Sequence, residues 1–404
     1  MKTLLQINVT ANFGSTGKIA EQIGAIAQSQ GWRSVIAYGR RKGRSTSELY
    51  RIGNNMGIGW HLVQSRLLDR HGRASRSATR NLIQYIEKVS PDVIHLHNIH
   101  GYYLNYEMLF EYLGKAGIPV VWTLHDCWTF TGHCAHFDFI SCDKWKTECS
   151  HCPQLRTYPS SILKDRSREN FRLKKRLFNS VEKMCLVPVS DWLAGFLSDS
   201  FLKSVPRKTI HNGIDVETFR PYGNMAQVRE KYGIGERRII LGVANVWTER
   251  KGFQDFLTLR ERLSDDYAVV LVGLSKKQVE SLPEGIVGIE RTESAAQLAA
   301  LYSAAEVFFN PTYEDNFPTV NLESMACGTP VVTYDTGGCA EAVDSTRGAV
   351  VPQGDLDGAL EQIMKIVGEG KEVYASTCRD CVVSHFTKEE KYKEYLELYN
   401  EIIR

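Results

Sequence analysis

Two adjacent cations stand at a turn in the second half of the chain. Arg250 and Lys251 follow a strand-like run and precede Gly252, and a helical pattern begins at Phe253. Cations at a strand-to-helix turn suit the charge and shape of a pyrophosphate. The turn is therefore a candidate diphosphate site.

An acidic loop forms a second candidate site in the same half. Glu314 and Asp315 follow the run Val307–Asn310, and Glu323 lies early in the next helical stretch. Carboxylates accept hydrogen bonds, so these groups can receive hydroxyls from opposite ends of one polyol ligand. The alternative is a solvated acidic loop.

Histidines follow two strand-like runs in the first half. His125 and Asp126 close the run Val120–Leu124, where the imidazole can bond a sugar hydroxyl or a phosphate. A histidine with purely structural hydrogen bonds is the alternative. That alternative is the preferred interpretation of His95, His97 and His100.

Small residues open the first predicted helix. Gly14, Ser15, Thr16 and Gly17 follow the first strand, so backbone amides and the helix dipole can face an anion there. Neither Walker nor GxGxxG spacing is present, and a plain tight turn is an equally good interpretation.

Four cysteines lie close together in a loop between about residues 130 and 158. Cys134, Cys142, Cys149 and Cys152 could close a tetrahedral structural zinc site in an insertion with little core of its own. His133, His136 and His151 are substitute ligands. Unbonded thiols are the alternative, and we expect no disulfides in a reducing compartment.

Length and composition indicate a folded protein of more than one domain. The chain has 404 residues, of which 43% are hydrophobic and 24% charged, so it is neither disordered nor collagen-like. The start resembles a strand more than a signal peptide, because Gln6 and Asn8 interrupt its apolar run. We therefore expect a cytoplasmic protein, with a peripheral position on the inner face of a membrane left open.

Charge is unevenly distributed although the net charge is only +2. Residues 1–200 carry 26 basic against 16 acidic side chains. A basic amphipathic stretch, Arg166–Phe178, could rest on anionic headgroups or could be a solvated helix packed on its sheet. Nucleic acid is not an expected partner, because no recognised motif accompanies the charge.

Short β-branched runs alternate with helical patterns along the whole chain. Five such runs occur in the first half and six in the second. This alternation predicts α/β structure with two doubly wound parallel sheets. We expect domains at residues 1–205 and 223–387, a linker at 206–222, and a last helix at 388–404 that either closes the second domain or returns to the first.

Together these motifs resemble the retaining family-4 glycosyltransferases of GT-B fold. The likeness rests on Arg250–Gly252, on an acidic residue followed by seven others and Glu323, and on Cys327-Gly328-Thr329-Pro330. It implies two Rossmann-like domains facing across a cleft. A nucleotide diphosphosugar would be held mainly by the second domain and the acceptor by the first.

The resemblance also implies roles for individual residues. Lys251 would neutralise the diphosphate leaving group, Glu323 would bind the ribose hydroxyls and His125 would touch the sugar. Backbone around Arg291 would meet the base. The other implied donor-binding residues are Gly14, Ser15, Thr16 and Gly17 at the diphosphate, Arg250 as a second cation, and Glu314, Asp315, Asn316, Phe317, Pro318 and Thr319 at the sugar.

Two departures from the family pattern affect these roles. The acidic loop has one extra residue, so Asp315 and not Glu314 has the seven-residue spacing to Glu323; Asp315 is the preferred sugar-facing acid and Glu314 the alternative. The arginine that many relatives carry after the preceding strand is missing, and Arg250 could replace it. Lys251 and helix termini can replace a divalent cation, so we expect catalysis without a metal.

The expected function is transfer of a sugar from a UDP- or GDP-sugar to a growing, lipid-linked polysaccharide with retention of configuration. Two alternatives are an epimerase or hydrolase of nucleotide sugars on the same fold and a glycan- or lipid-binding scaffold with a degenerate site.

Overall fold

The computed structural model describes residues 1–223 and 225–404 and divides into two compact units. One unit comprises Met1–His211 and Tyr392–Arg404, and the other comprises Asn212–Lys391. Each contains a six-stranded parallel sheet with flanking helices. The expected α/β class with two doubly wound sheets is confirmed.

The first sheet has the strand order β3-β2-β1-β4-β5-β6. Its central strands are almost entirely buried, as expected of a parallel sheet covered on both faces. The edge strand β3 is the exception, because none of its four residues is buried. The six strands are β1 Thr3–Asn8, β2 Arg33–Tyr38, β3 Glu48–Arg51, β4 Val93–Leu96, β5 Val120–Leu124 and β6 Met184–Pro188.

Seven α-helices accompany this sheet in the first 211 residues. They are α1 Gly14–Ser29, α2 Asn55–Leu68, α3 Arg76–Val89, α4 Tyr106–Ala116, α5 Lys144–Thr147, α6 Ser167–Phe178 and α7 Asp191–Asp199, with short 3₁₀ turns at Trp128–Phe130 and Asp138–Ile140.

The second sheet repeats the same winding, with the order β12-β11-β10-β7-β8-β9. Its strands are β7 Arg238–Val243, β8 Tyr267–Val272, β9 Ile286–Ile289, β10 Val307–Asn310, β11 Val331–Tyr334 and β12 Gly348–Val351. Its helices are α8 Ala226–Lys231, α9 Phe253–Glu261, α10 Lys276–Glu280, α11 Ala295–Ala304, α12 Thr319–Ala326, α13 Leu356–Glu369 and α14 Glu372–His385, with 3₁₀ turns at Glu249–Lys251 and Cys339–Ala342.

The last helix, α15 Lys388–Ile403, belongs mostly to the first unit. Tyr392, Tyr395 and Tyr399 are buried in one apolar cluster with Leu4 and Ile23. The Tyr395 hydroxyl lies 3.0 Å from Thr123 Oγ1, and the Tyr399 hydroxyl lies 2.6 Å from His95 Nδ1. The carboxyl-terminal helix therefore completes the core of the first unit.

The helices of the described residues include none long and apolar enough to cross a membrane.

Candidate active site

Each sheet has one point at which its winding reverses direction. In the second sheet this point lies between β7 and β10, and in the first sheet between β1 and β4. Ligands of doubly wound sheets bind beyond the carboxyl ends of the strands at such a point. The loops that follow β7 and β10 contain Lys251 and Asp315, which the sequence had marked.

Lys251 and Asp315 form an ion pair at this edge of the second sheet. Lys251 Nζ lies 2.5 Å from Asp315 Oδ2, and the two side chains are 22% and 27% exposed. The pair is therefore partly open to solvent, so the Lys251 ammonium can contact an anionic ligand.

Gly252 holds the cationic turn against the chain that follows β10. Its φ is +71°, and a Cβ there would lie 2.2 Å from the carbonyl oxygen of Pro311. Only glycine fits such a close approach with positive φ. The Tyr313 amide also donates to the Arg250 carbonyl over 2.9 Å, so the two loops are fixed to each other.

Arg250 binds the other acid of the loop. Its Nη1 donates to the Glu314 carbonyl oxygen over 3.2 Å and lies 3.8 Å from Glu314 Oε2. The Glu314 side chain is only 5% exposed. Of the two acids left open by the sequence, Asp315 is thus the more accessible, while Glu314 lies beneath the loop with Arg250.

Glu323 lies on α12, which begins directly after the acidic loop. The Tyr302 hydroxyl donates to Glu323 Oε2 over 3.2 Å and orients that carboxylate. Pro318 is the N-cap, and its side chain makes no capping hydrogen bond. The amides that begin at Thr319 can therefore donate to a ligand.

The remaining donor-side positions differ in exposure. Asn316 and Phe317 are buried, and the Phe317 ring packs 5.8 Å from that of Phe386. Arg291 is exposed in the segment after β9. Because β9 is the edge strand, two strands from β7, Arg291 does not belong to the ion-pair cluster.

In the first unit, the Gly14–Gly17 segment forms the first turn of α1. The N-cap Phe13 makes no side-chain capping bond, and Gly14 has a φ of +68°. Gly14 and Ser15 are exposed, while Gly17 packs against Thr10 so closely that a Cβ would lie 2.6 Å from its hydroxyl. The turn thus presents uncapped amides to solvent at the carboxyl end of β1.

His125 lies at the end of β5 in a network of neutral groups. Its Nε2 is 3.2 Å from His97 Nδ1, and His97 Nε2 is 3.0 Å from Gln6 Oε1. Burial lowers the pKa of His125 to about 4, although Asp126 opposes the shift. The ring is therefore neutral at pH 7 and suited to hydrogen bonding rather than ion pairing.

Asp126 binds a different histidine. His100 Nε2 lies 2.8 Å from Asp126 Oδ2, and His100 Nδ1 lies 2.8 Å from the Tyr158 hydroxyl. Burial alone would raise the pKa of Asp126, but His100 and the Trp128 amide hold it well below its usual range. Asp126 is thus ionised and held in place, while His95, bonded to Thr123 and Tyr399, is structural.

The cysteine-rich insertion buries aromatic side chains, which the sequence interpretation did not anticipate. Trp145 is 1% exposed, and its ring lies 5.2 Å from Phe130 and 5.0 Å from Phe137. These rings are part of the main core of the first unit, and Phe137 and Trp145 also pack on Phe196 of α7. Apolar burial stabilises it independently of any metal.

The four cysteines are neighbours but do not form a closed metal cage. The thiols of Cys134 and Cys152 share a hydrogen bond, and Cys149 and Cys142 lie nearby. Within residues 1–223 and 225–404, no three of these thiols and the adjacent histidines bring their ligand atoms within 4.8 Å of one another. All four cysteines are free thiols.

His133 is the best-placed histidine beside the thiols. Its Nδ1 lies 2.6 Å from Asp69 Oδ1, and both side chains are fully buried. Its Nε2 is buried and has no hydrogen-bond partner among the described residues. A carboxylate that orients one imidazole nitrogen while the other stays available is typical of metal-binding histidines.

The second half contains one Asp-x-Asp sequence, Asp355-Leu356-Asp357, which could suggest a catalytic metal. Asp355 caps α13 by accepting the Gly358 amide over 2.9 Å, and Asp357 pairs with Arg262. Both carboxylates thus have structural partners away from Lys251.

Comparison with known proteins gives family matches over most of the chain. Residues 20–218 match the model described as Glycosyltransferase Family 4, and residues 237–369 match that described as Glycosyl transferases group 1. The chain belongs to the family-4 glycosyltransferases. It is therefore a glycosyltransferase, and the expectation drawn from its motifs is confirmed.

A curated relative and two solved structures agree with this assignment. WcaC of Escherichia coli (strain K12), a glycosyl transferase ascribed to colanic acid biosynthesis, is 24% identical over 99% of this chain and 100% of its own. Sucrose-phosphate synthase of Thermosynechococcus elongatus has a TM-score of 0.72 at 16% identity, covering 100% of this chain and 99% of that chain. HepE of Anabaena, solved with UDP, has a TM-score of 0.65 at 16% identity over 99% and 100% of the two chains. The fold is GT-B.

Several contacts in this glycosyltransferase were not predicted from its sequence. Tyr302 orients Glu323, Gln6 binds His97, and Asp255 accepts a hydrogen bond from Tyr313 over 3.2 Å. Asp255 does follow the Lys251 turn within one helix, a position that could have marked it. Nothing in the local pattern marks Tyr302 or Gln6, because their partners are distant in sequence.

Proposed function

We propose that this glycosyltransferase moves a sugar from a UDP- or GDP-sugar to a growing, lipid-linked polysaccharide and retains the anomeric configuration. The Arg250 and Lys251 cluster with its two acids, at the reversal point of the second sheet, carries this proposal. The relatives add support, because WcaC is ascribed to colanic acid biosynthesis and HepE was solved with UDP.

In this proposal Lys251 and Arg250 stabilise the leaving diphosphate. When the bond between the anomeric carbon and the diphosphate oxygen breaks, negative charge grows on the diphosphate while the sugar becomes oxocarbenium-like. We give Lys251 the more direct role because the family resemblance assigns it to the leaving group, and Arg250 is the second cation. The uncapped amides of α12 and of the α1 turn, with Gly14, Ser15, Thr16 and Gly17, are further donors to the ligand.

Asp315, Glu323 and His125 position the hydroxyls of the donor. Asp315 accepts from the sugar and holds Lys251 in place, and Glu323 accepts from the ribose while Tyr302 fixes its orientation. Because His125 is neutral, it can bond a sugar hydroxyl without attracting the leaving diphosphate. Phe317, Pro318 and Thr319 would supply backbone contacts to the sugar, and Arg291 would flank the base.

The test is thermal melting with UDP, GDP, ADP and their sugars, followed by analysis of products. A ligand that binds the folded state raises the melting temperature, so we expect a rise with one nucleotide and its sugar. Transfer to an acceptor with the anomeric configuration kept supports the proposal. Free nucleotide or an altered sugar from donor alone would indicate the epimerase or hydrolase, and no rise with any nucleotide would indicate the degenerate scaffold.

We also propose a structural zinc ion in the insertion, with ligands from Cys134, Cys142, Cys149 and Cys152. His133 is the substitute favoured by its available Nε2 and its bond to Asp69. Elemental analysis of protein purified without chelator should give about one zinc per chain; Cys152→Ser should lose it and Cys185→Ser should keep it. Metal-free folded protein would contradict the proposal.

A further inference from the structure

Helix α2 exposes four of its seven large apolar side chains, while Ile58 packs against the core of the first unit. Met56, Trp60, Val63 and Leu67 are 82%, 63%, 43% and 39% exposed, and their spacing puts all four on one face of the helix. Its buried residues are His61 and Ser65, which lie on the opposite face. A helix of a globular protein normally buries its apolar stripe, so the exposed stripe on this face of α2 is unusual.

The exposed stripe continues beyond the helix. The Ile162 amide donates to the Arg66 carbonyl over 2.7 Å, which brings residues 162 and 163 to the end of α2. Ile162 and Leu163 are 50% and 67% exposed. Six large apolar side chains thus form one surface, here called the α2 surface: Met56, Trp60, Val63, Leu67, Ile162 and Leu163.

The chain around α2 is strongly basic. Between residues 51 and 86 it contains six arginines and a single acid, Asp69. Asp69 is completely buried against His133, so it does not neutralise the surface. Arg51, Arg66, Arg76 and Arg80 are exposed, and an anionic partner is therefore favoured.

The basic stretch singled out by the sequence is less available than the α2 surface. In α6, Lys174 is 1% exposed and donates to two backbone carbonyls. Arg172 forms a bidentate ion pair with Glu148, and Arg168 Nε lies 3.3 Å from Glu148 Oε2. The apolar residues Phe171 and Leu177 are buried, which favours a helix packed on its sheet over one that rests on lipid headgroups.

We propose that the α2 surface docks on a bilayer containing anionic phospholipid. The apolar stripe enters the interfacial region, where tryptophan is favoured, and the exposed arginines contact lipid phosphates. A second copy of the chain fits less well, because a two-fold contact would bring the same arginines together. This inference is independent of the proposed donor and acceptor.

The experiment is sedimentation of the full-length protein with vesicles of phosphatidylcholine alone or with about one third phosphatidylglycerol. We expect binding to the anionic vesicles that weakens at high salt. The double variant Met56→Ser/Trp60→Ser should bind at least about tenfold more weakly, since two inserted side chains are lost. The matched control Val373→Ser/Met364→Ser, on exposed apolar residues of the second unit, should bind like wild type.

Two further measurements keep the test decisive. Brominated lipid should quench the fluorescence of Trp60 in the wild type, judged by difference from Trp60→Phe, even if the double variant folds poorly. The melting shift with nucleotide should survive in all variants, which separates this proposal from the donor site. Equal binding by the double variant, no binding to anionic vesicles, or a dimer that the double variant converts to monomer would overturn the proposal.

Discussion

In the first unit the carboxyl edge of the sheet carries the buried His97 and the partly buried His125, which are neutral and bonded to each other. In the second unit the same edge carries Lys251 and Asp315 as a partly exposed ion pair. Both sheets have the same strand order, and His97 after β4 is the positional counterpart of the acidic loop after β10. The side chains give the two edges different chemistry, hydrogen bonding in one and charge neutralisation in the other.

This contrast matters for the proposed function. A neutral imidazole can bond a hydroxyl without attracting an anion, whereas a cation attracts a diphosphate. Burial achieves this in the first unit, because it lowers the histidine pKa values. In the second unit exposure and an adjacent acid keep the cation available.

The largest expected effect comes from Lys251→Ala. Loss of the cation should reduce the rate of transfer by about 10²–10³-fold, because the leaving diphosphate loses its main charge partner. The measurement is steady-state turnover of the nucleotide sugar. The control is Lys276→Ala, which removes a lysine whose side chain is 79% exposed. Near-normal turnover of Lys251→Ala would refute the role assigned to Lys251.

Glu323→Gln should weaken nucleotide binding by roughly 1–3 kcal/mol, because an ionised acceptor of buried ribose hydroxyls becomes neutral. Calorimetric titration with the nucleotide found in the melting panel measures the change. Glu361→Gln, at an exposed position of α13, should bind like wild type. Unchanged affinity in Glu323→Gln would remove Glu323 from the ribose site.

Acid should destabilise the first unit and spare the second. Burial lowers the pKa of His61 from 6.5 to about 4 and those of His71, His95 and His97 well below their usual range. The unfolded state therefore binds more protons than the folded state below pH 6.5. The free energy of unfolding is highest above pH 6.5 and falls as the pH falls toward 4. For His61 alone the loss is about 2 kcal/mol at pH 5.

Hydrogen exchange at pH 7.5 and 5.0, corrected for the intrinsic rates, locates this effect. The second unit contains one histidine, His385, and serves as the internal reference. Protection should fall selectively in residues 1–211. An equal loss in both units would show that the buried histidines are not responsible.

The smallest expected effect is that of His125→Ala. Loss of one neutral hydrogen bond to the sugar should reduce kcat/KM by about fivefold, or about 1 kcal/mol. Steady-state kinetics checks it against His385→Ala, whose side chain is exposed on α14. A loss as large as that of Lys251→Ala would mean that the first edge also handles charge.

Much of the fold could be predicted from the sequence because buried parallel strands are continuous apolar runs. The strand β3 was missed, since its sequence Glu-Leu-Tyr-Arg is polar at both ends and lies at the sheet edge. The exposed face of α2 is equally hard to predict, because an apolar stripe such as Met56, Trp60, Val63 and Leu67 is expected to be buried.

The site residues could be proposed from the sequence, but their pairings could not. Lys251 and Asp315 are separated by 64 residues, and only the winding of the sheet brings their loops together. The burial of Phe130, Phe137 and Trp145 in the core of the first unit could not be predicted either, because these residues follow no helical or strand period.

The most direct test of the central claim compares UDP with uridine in calorimetric titrations of wild type, Lys251→Ala and His125→Ala, or GDP with guanosine if the melting panel selects that base. The difference in binding free energy between the two ligands measures recognition of the diphosphate. We predict that Lys251→Ala largely removes this difference and that His125→Ala preserves it. An undiminished difference in Lys251→Ala would show that Lys251 does not recognise the diphosphate.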